Sequence, residues 1–176
     1  MIDVRAATTV VSALAGRPLP DVRLPSTQGK VELRLAAAGT LVLFIYPRTG
    51  VAGQPQPAGW DEIPGARGCT AESCAFRDRA TALHERGANV MGLSAQPAAE
   101  QREFAQRERI PYPLLNDCNL VLANELGLPT FEVAGMTFYK RLTLIAVAGR
   151  VATVFYPVVS PARHPAEVVE WLSEAR

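Results

Sequence analysis

The chain has 176 residues, of which 48% are hydrophobic and 20% charged, with a formal net charge of +1; this is the make-up of one globular unit with a full core. So even a charge balance gives no electrostatic ground for a nucleic-acid partner or an acidic membrane surface. Three cysteines in a chain this long are no secreted disulfide framework and fit reduced thiols in a cytoplasmic protein.

Residues 1–16 read as a helical or frayed extension. The stretch from Ala6 to Ala15 follows a lone Arg5, but it is short, diluted by Thr8, Thr9 and Ser12, and preceded by Asp3, unlike a leader. No apolar run approaches the ~18 residues of a membrane span. Asp21 to Pro25 and Val31 to Leu33 alternate around Gly29 as a hairpin. Leu41 to Tyr46 is an unbroken apolar run stopped by Pro47, the pattern of a central strand buried on both faces. A long Pro/Gly-rich loop leads to Cys69, after which Phe76, Ala80 and Leu83 recur with helical spacing up to Gly87.

Ala88 to Leu93 reads as a second buried strand, and Ala98 to Arg109 as an exposed helix carrying Phe104. Ile110 to Leu115 is extended, and Leu120 to Leu126 is a short helix closed by Gly127 and Pro129. Leu142 to Val147 and Arg150 to Tyr156 flank Ala148-Gly149 as a hairpin, and a helix from about Pro165 to Ala175 buries Val168, Val169 and Leu172. Alternating strands and helices followed by a hairpin and a helix imply an α/β fold, a mixed sheet with helices on its faces.

The chemistry concentrates in Gly68-Cys69-Thr70-Ala71-Glu72-Ser73-Cys74-Ala75-Phe76-Arg77-Asp78, where the loop turns into the helix. On an intact helix the Cα atoms of Cys69 and Cys74 lie about 8.6 Å apart, beyond the about 7 Å that a disulfide spans. Joining the two sulfurs therefore requires the first helical turn to unwind. Cys69, at a helix N-terminus, faces free N–H groups and the positive end of the dipole, both of which favour thiolate.

This run resembles the active-site segment of peroxiredoxins, in the group of peroxiredoxin Q and the bacterioferritin comigratory protein. The resemblance extends to Pro20-Asp21 through Leu24-Pro25, to Phe44-Ile45-Tyr46-Pro47, to Leu114-Leu115-Asn116-Asp117 and to Arg141-Leu142-Thr143-Leu144-Ile145, so that it covers roughly residues 17 to 172. It implies a thioredoxin-like fold over residues 17–176 and a thiol peroxidase acting on hydrogen peroxide and organic hydroperoxides. In that reading Cys69 forms the sulfenic acid, Cys74 resolves it as an intramolecular disulfide, and Arg141 stabilises the departing oxygen. Pro47, Thr49, Gly68 and Thr70 surround the peroxide. The resemblance further implies regeneration by a thioredoxin-like dithiol without metal or organic cofactor, and a monomer or weak homodimer.

The chain departs from the family pattern Pro-x-x-x-Thr-x-x-Cys, because Pro47 and Cys69 enclose 21 residues and Ala66 stands three before the cysteine. Thr49 folding back and Thr70 are two candidates to replace the missing hydroxyl. The inserted loop, residues 48–66, reads either as a cover for the active-site mouth or as a surface elaboration. Cys118, at a turn, is an ordinary thiol or an alternative resolver. His84 and His164 are expected to face solvent, and the spacing of Cys69, Cys74, His84 and Cys118 does not suit zinc. Two rival functions are a redox sensor or holdase, and a thiol-disulfide oxidoreductase without peroxidase turnover; the latter would carry a Cys-x-x-Cys pair, absent here.

Overall fold

The computed structural model describes residues 4–175. Helix α1 spans Val4–Ser12, and the part of the expected extension at residues 1–3 lies outside the described residues. Past α1 the chain joins the body, with Leu14 fully buried and the Gly16 N–H donating to the Val151 carbonyl (2.7 Å).

The expected hairpin forms from β1 (Arg23–Ser26) and β2 (Gly29–Glu32), and a single turn, α2 (Leu33–Ala36), leads to β3 (Thr40–Ile45). Then follow α3 (Cys69–Asp78), α4 (Ala80–Glu85), β4 (Ala88–Ser94), α5 (Ala98–Arg107), β5 (Leu114–Asn116) and α6 (Val121–Leu126). The chain ends with β6 (Thr130–Val133), β7 (Met136–Tyr139), β8 (Leu142–Val147), β9 (Arg150–Phe155) and α7 (His164–Glu174). Seven strands form one mixed sheet in the order β2-β1-β5-β4-β3-β8-β9, while β6 and β7 make a separate two-stranded ribbon.

β3 pairs in parallel with β4 and antiparallel with β8, so it is an interior strand, as its apolar run predicts. Alternation along it feeds two cores. Leu41, Leu43 and Ile45 pack with Leu93, Leu144 and the α6 residues Leu122 and Leu126, whereas Val42, Phe44 and Tyr46 pack with Phe76, Leu83, Phe104 and Val168 of α3, α4, α5 and α7. Full burial of each such side chain is worth about 1.5–3 kcal/mol, which makes the end of β3 a rigid platform for the residues after it.

Four details differ from the sequence expectation. The single helix after Cys69 breaks at Arg79 (φ −110°, ψ 5°) into α3 and α4, yet Phe76 and Leu83 both still reach the core. Helix α5 is not exposed all round, since Gln101 and Phe104 are buried. The β6–β7 ribbon occupies a stretch with no predicted element. His164 does not face solvent; it is 1% exposed, wedged edge-on against Phe76 and Phe155, with Nε2 at 2.9 Å from Thr143 Oγ1. His84 is exposed, as expected. Among the described residues no helix is long and apolar enough to cross a membrane.

Candidate active site

Cys69 opens α3, and Gly68 before it takes a left-handed conformation (φ 100°). A side chain there would be strained, and its Cβ would lie 2.8 Å from Pro161 Cγ, so glycine is required on two counts. The turn leaves the Cys69 side chain only 3% exposed against the end of β3. Arg141, immediately before β8, points Nη2 at Cys69 Sγ (3.1 Å) and at the Arg67 carbonyl (2.9 Å), and pairs through Nη1 with Glu72. The Cys69 Sγ–H is 3.5 Å from the Ala66 carbonyl. The backbone N–H of Arg48 favours the thiolate form of the sulfur.

Arg48 and Thr49 are pinned from α5. The guanidinium of Arg48 grips Glu100 with Nε to Oε2 at 3.0 Å and Nη2 to Oε1 at 2.9 Å, and Gln96 Oε1 accepts both the Thr49 N–H (2.9 Å) and its hydroxyl (3.1 Å). Pro47 is held by its carbonyl, which accepts from Ser94 Oγ at 2.7 Å. Thr49 is thus fully buried beside the site, with its hydroxyl donated to Gln96.

Two buried acids contend for one cation. Burial pushes the Cys69 thiol up, while the Arg141 charge and the Arg48 N–H pull it down. Burial likewise pushes the Glu72 carboxyl up to about 7 against the same guanidinium. Each acid raises the proton affinity of the other through its negative charge, so Arg141 supports one ionised partner more readily than two. Glu72 sits one helical turn after Cys69 and shares its face; that spacing is the sequence signal that could have assigned it to the site.

The mouth over Cys69 is an open cavity of about 660 Å³ bordered by Arg48, Gly50, Gln56, Trp60, Thr70 and Cys74. Thr70 thereby lies at the entrance, half-buried. The inserted loop is more than a surface elaboration: Trp60 is 2% exposed and packs on Phe131 and Phe138 of the β6–β7 ribbon (ring centroids 5.9 and 5.2 Å) in a small core of its own.

Cys74, five positions along α3, is half-buried, with Sγ 3.6 Å from Glu108 Oε2. All three cysteines are free, and Cys118 is exposed on the loop after β5. The neighbouring Asp117 has a structural task, accepting the Val121 and Leu122 N–H groups of α6 (2.8 and 2.9 Å) and the Tyr139 hydroxyl (2.6 Å). Among the described residues no cluster of three or more His, Cys, Asp or Glu side chains is arranged to hold a metal ion.

The redoxin family profile matches residues 14–170. The chain is 29% identical over 161 residues to the chloroplastic peroxiredoxin Q of Arabidopsis thaliana, covering 91% of this chain and 67% of that protein. It is 32% identical over 132 residues to a Mycobacterium tuberculosis protein assigned to the peroxiredoxins, covering 74% of this chain and 76% of the other. Among solved structures, peroxidoxin BcpB of M. tuberculosis superposes with a TM-score of 0.74 at 29% identity, covering 92% of this chain and 97% of that one. Peroxiredoxin Q of Xanthomonas campestris shares the fold, with a TM-score of 0.70 at 22% identity over 88% of this chain and 90% of that one.

Proposed function

The chain belongs to the redoxin family, in its peroxiredoxin Q group, and from that membership and the setting of Cys69 we propose how its residues divide the work of a thiol peroxidase. The observation that carries the assignment is the contact of Arg141 Nη2 with Cys69 Sγ at 3.1 Å inside a buried pocket open to the mouth. Hydroperoxides, ROOH, are the substrate class. The Cys69 thiolate attacks the terminal peroxide oxygen; the O–O bond breaks, Cys69 becomes a sulfenic acid, and the alkoxide or hydroxide leaves and takes up a proton. Arg141 is both the counter-charge that makes the thiolate accessible despite burial and the donor that meets the negative charge growing on the leaving oxygen.

Pro47, Thr49, Gly68 and Thr70 frame the peroxide: Pro47 and Thr49 fix the backbone around Arg48, whose N–H favours the thiolate, Gly68 permits the tight entry into α3, and Thr70 borders the mouth. Cys74 then attacks the sulfenic sulfur, expelling water and forming an intramolecular disulfide, and a dithiol protein of the thioredoxin kind returns both thiols by exchange. No metal or organic cofactor enters these steps.

The test is turnover of hydroperoxide followed through NADPH consumption with a thioredoxin system. Cys69→Ser is expected to fall to background, whereas Cys74→Ser should consume one equivalent of peroxide and stop as a sulfenic acid that dimedone traps. A Cys69→Ser variant that keeps turning over contradicts the assignment.

A further inference from the structure

The unwinding that brings Cys74 to Cys69 has an anchor and a latch in this chain. Phe76 is fully buried and stacks on Phe44 with ring centroids 4.4 Å apart, so the second half of α3 is fixed to the sheet. Residues 69–75 before it are the stretch that must open, and there Glu72 pairs with Arg141 and the Ser73 carbonyl accepts from the Tyr112 hydroxyl at 2.6 Å. Within that stretch Cys74 is held from outside the helix, by Glu108 at the end of α5. Glu108 is itself gripped from both sides. Arg77 Nη1 donates to its carbonyl at 2.7 Å and lies 3.9 Å from its carboxylate, and Arg107 Nη1 pairs with Oε1 at 3.0 Å. Arg107 in turn donates through Nη2 to the Gly50 carbonyl at 3.0 Å, at the start of the inserted loop.

We infer that Glu108 is a positioning residue that latches Cys74 in the folded dithiol form and, through Arg107 and Gly50, ties the helix that must open to the inserted loop at the mouth. The inference rests on the peroxidase reading of Cys69 and Cys74. Resolution proceeds by opening and then S–S formation, Cys69-SOH and Cys74-SH giving the disulfide and water, with no outside oxidant or reductant. Opening breaks the Cys74–Glu108 contact before any new bond forms, so the latch slows resolution without touching the first step. While the latch holds, the sulfenic acid stays exposed to a second peroxide, whose attack yields sulfinic acid. Latch strength therefore sets the peroxide concentration at which the enzyme inactivates itself.

The experiment uses the full reduced protein, mixed rapidly with hydrogen peroxide and quenched with acid for mass analysis of sulfenic, disulfide and sulfinic forms. Glu108→Ala is expected to react with the first peroxide at the wild-type rate and to form its disulfide about five-fold faster, the scale expected for one part-exposed charged contact. The peroxide concentration giving half sulfinic acid should rise by the same factor, a readout that a merely structural role of Glu108 leaves unmoved. Glu108→Gln, which keeps an acceptor for the thiol but drops the charge, should fall between the two. Arg23→Gln, which removes the exposed pair with Glu32 at the far hairpin, is the surface-charge control and should match wild type. Equal disulfide rates in wild type and Glu108→Ala overturn the latch, as does a slower rate in the variant. Absence of the first reaction in the wild-type protein overturns instead the peroxidase reading beneath it.

Discussion

The two cysteines of α3 lie in one short helix and live under opposite constraints. Cys69 is 3% exposed, with the Arg141 guanidinium at 3.1 Å and the Ala66 carbonyl at 3.5 Å from its sulfur. Cys74 is half-buried, with a carboxylate at 3.6 Å. Burial raises both thiols, but at Cys69 the opposing influences are the positive charge of Arg141 and an N–H donor, whereas at Cys74 the Arg77 charge is countered by Glu108. At Cys69 burial still holds the thiol up overall but a cation and an N–H oppose it, whereas at Cys74 a nearby carboxylate adds to the upward push. A shared helix does not mean a shared environment: the difference comes from β8 and the end of β3 at one end and from α5 at the other.

Breaking the Cys69 side should have the larger effect. Arg141→Ala removes the cation that touches the sulfur, and the second-order rate with hydrogen peroxide is expected to fall by about 100- to 1,000-fold, the usual scale for losing one such donor. Stopped-flow oxidation of the reduced protein measures it, and a loss below about ten-fold would mean that Arg141 is a structural ion-pair partner of Glu72 alone.

A smaller change sharpens the same contrast through Glu72, whose folded-state carboxyl lies at about 7 against 4.5 for the free group. A raised value means that the native state favours the protonated acid; stability from this group is fully present below pH 4.5 and is lost as pH rises through about 7. Glu72→Gln mimics the protonated form, so its unfolding free energy in denaturant titrations should vary less over that window than the wild type's. Because the Glu72 charge also raises the Cys69 thiol, the same variant should ionise Cys69 at lower pH, read by thiolate ultraviolet absorbance. A Cys69 titration that shifts upward in Glu72→Gln would break the picture of two acids contending for one cation.

The parts of this arrangement that are legible in sequence are those encoded locally. The β3 run from Leu41 to Tyr46 is apolar because both faces of the strand are covered, and the run from Gly68 to Asp78 carries both cysteines and Glu72 in a single stretch. What escapes is set by partners distant in the chain. Trp60 reads as one aromatic in a Pro/Gly-rich loop because its pocket is supplied by Phe131 and Phe138. The β6–β7 ribbon does have a local mark, alternation on both sides of Ala134-Gly135, two residues at positive φ (49° and 72°) that make the turn. His164 looks like a solvent-facing polar residue at a helix start, and only Thr143, Phe76 and Phe155 explain its burial. Glu108 is one charge among several at the end of α5 until α3 is seen against it.

Mass mapping of the disulfide after one equivalent of hydrogen peroxide is the most direct test that Cys69 reacts and that Cys74 reaches it by opening α3. The account predicts a single intramolecular link between Cys69 and Cys74, formed with loss of amide protection confined to residues 69–75. A link from Cys69 to Cys118, or one between two chains, would contradict it.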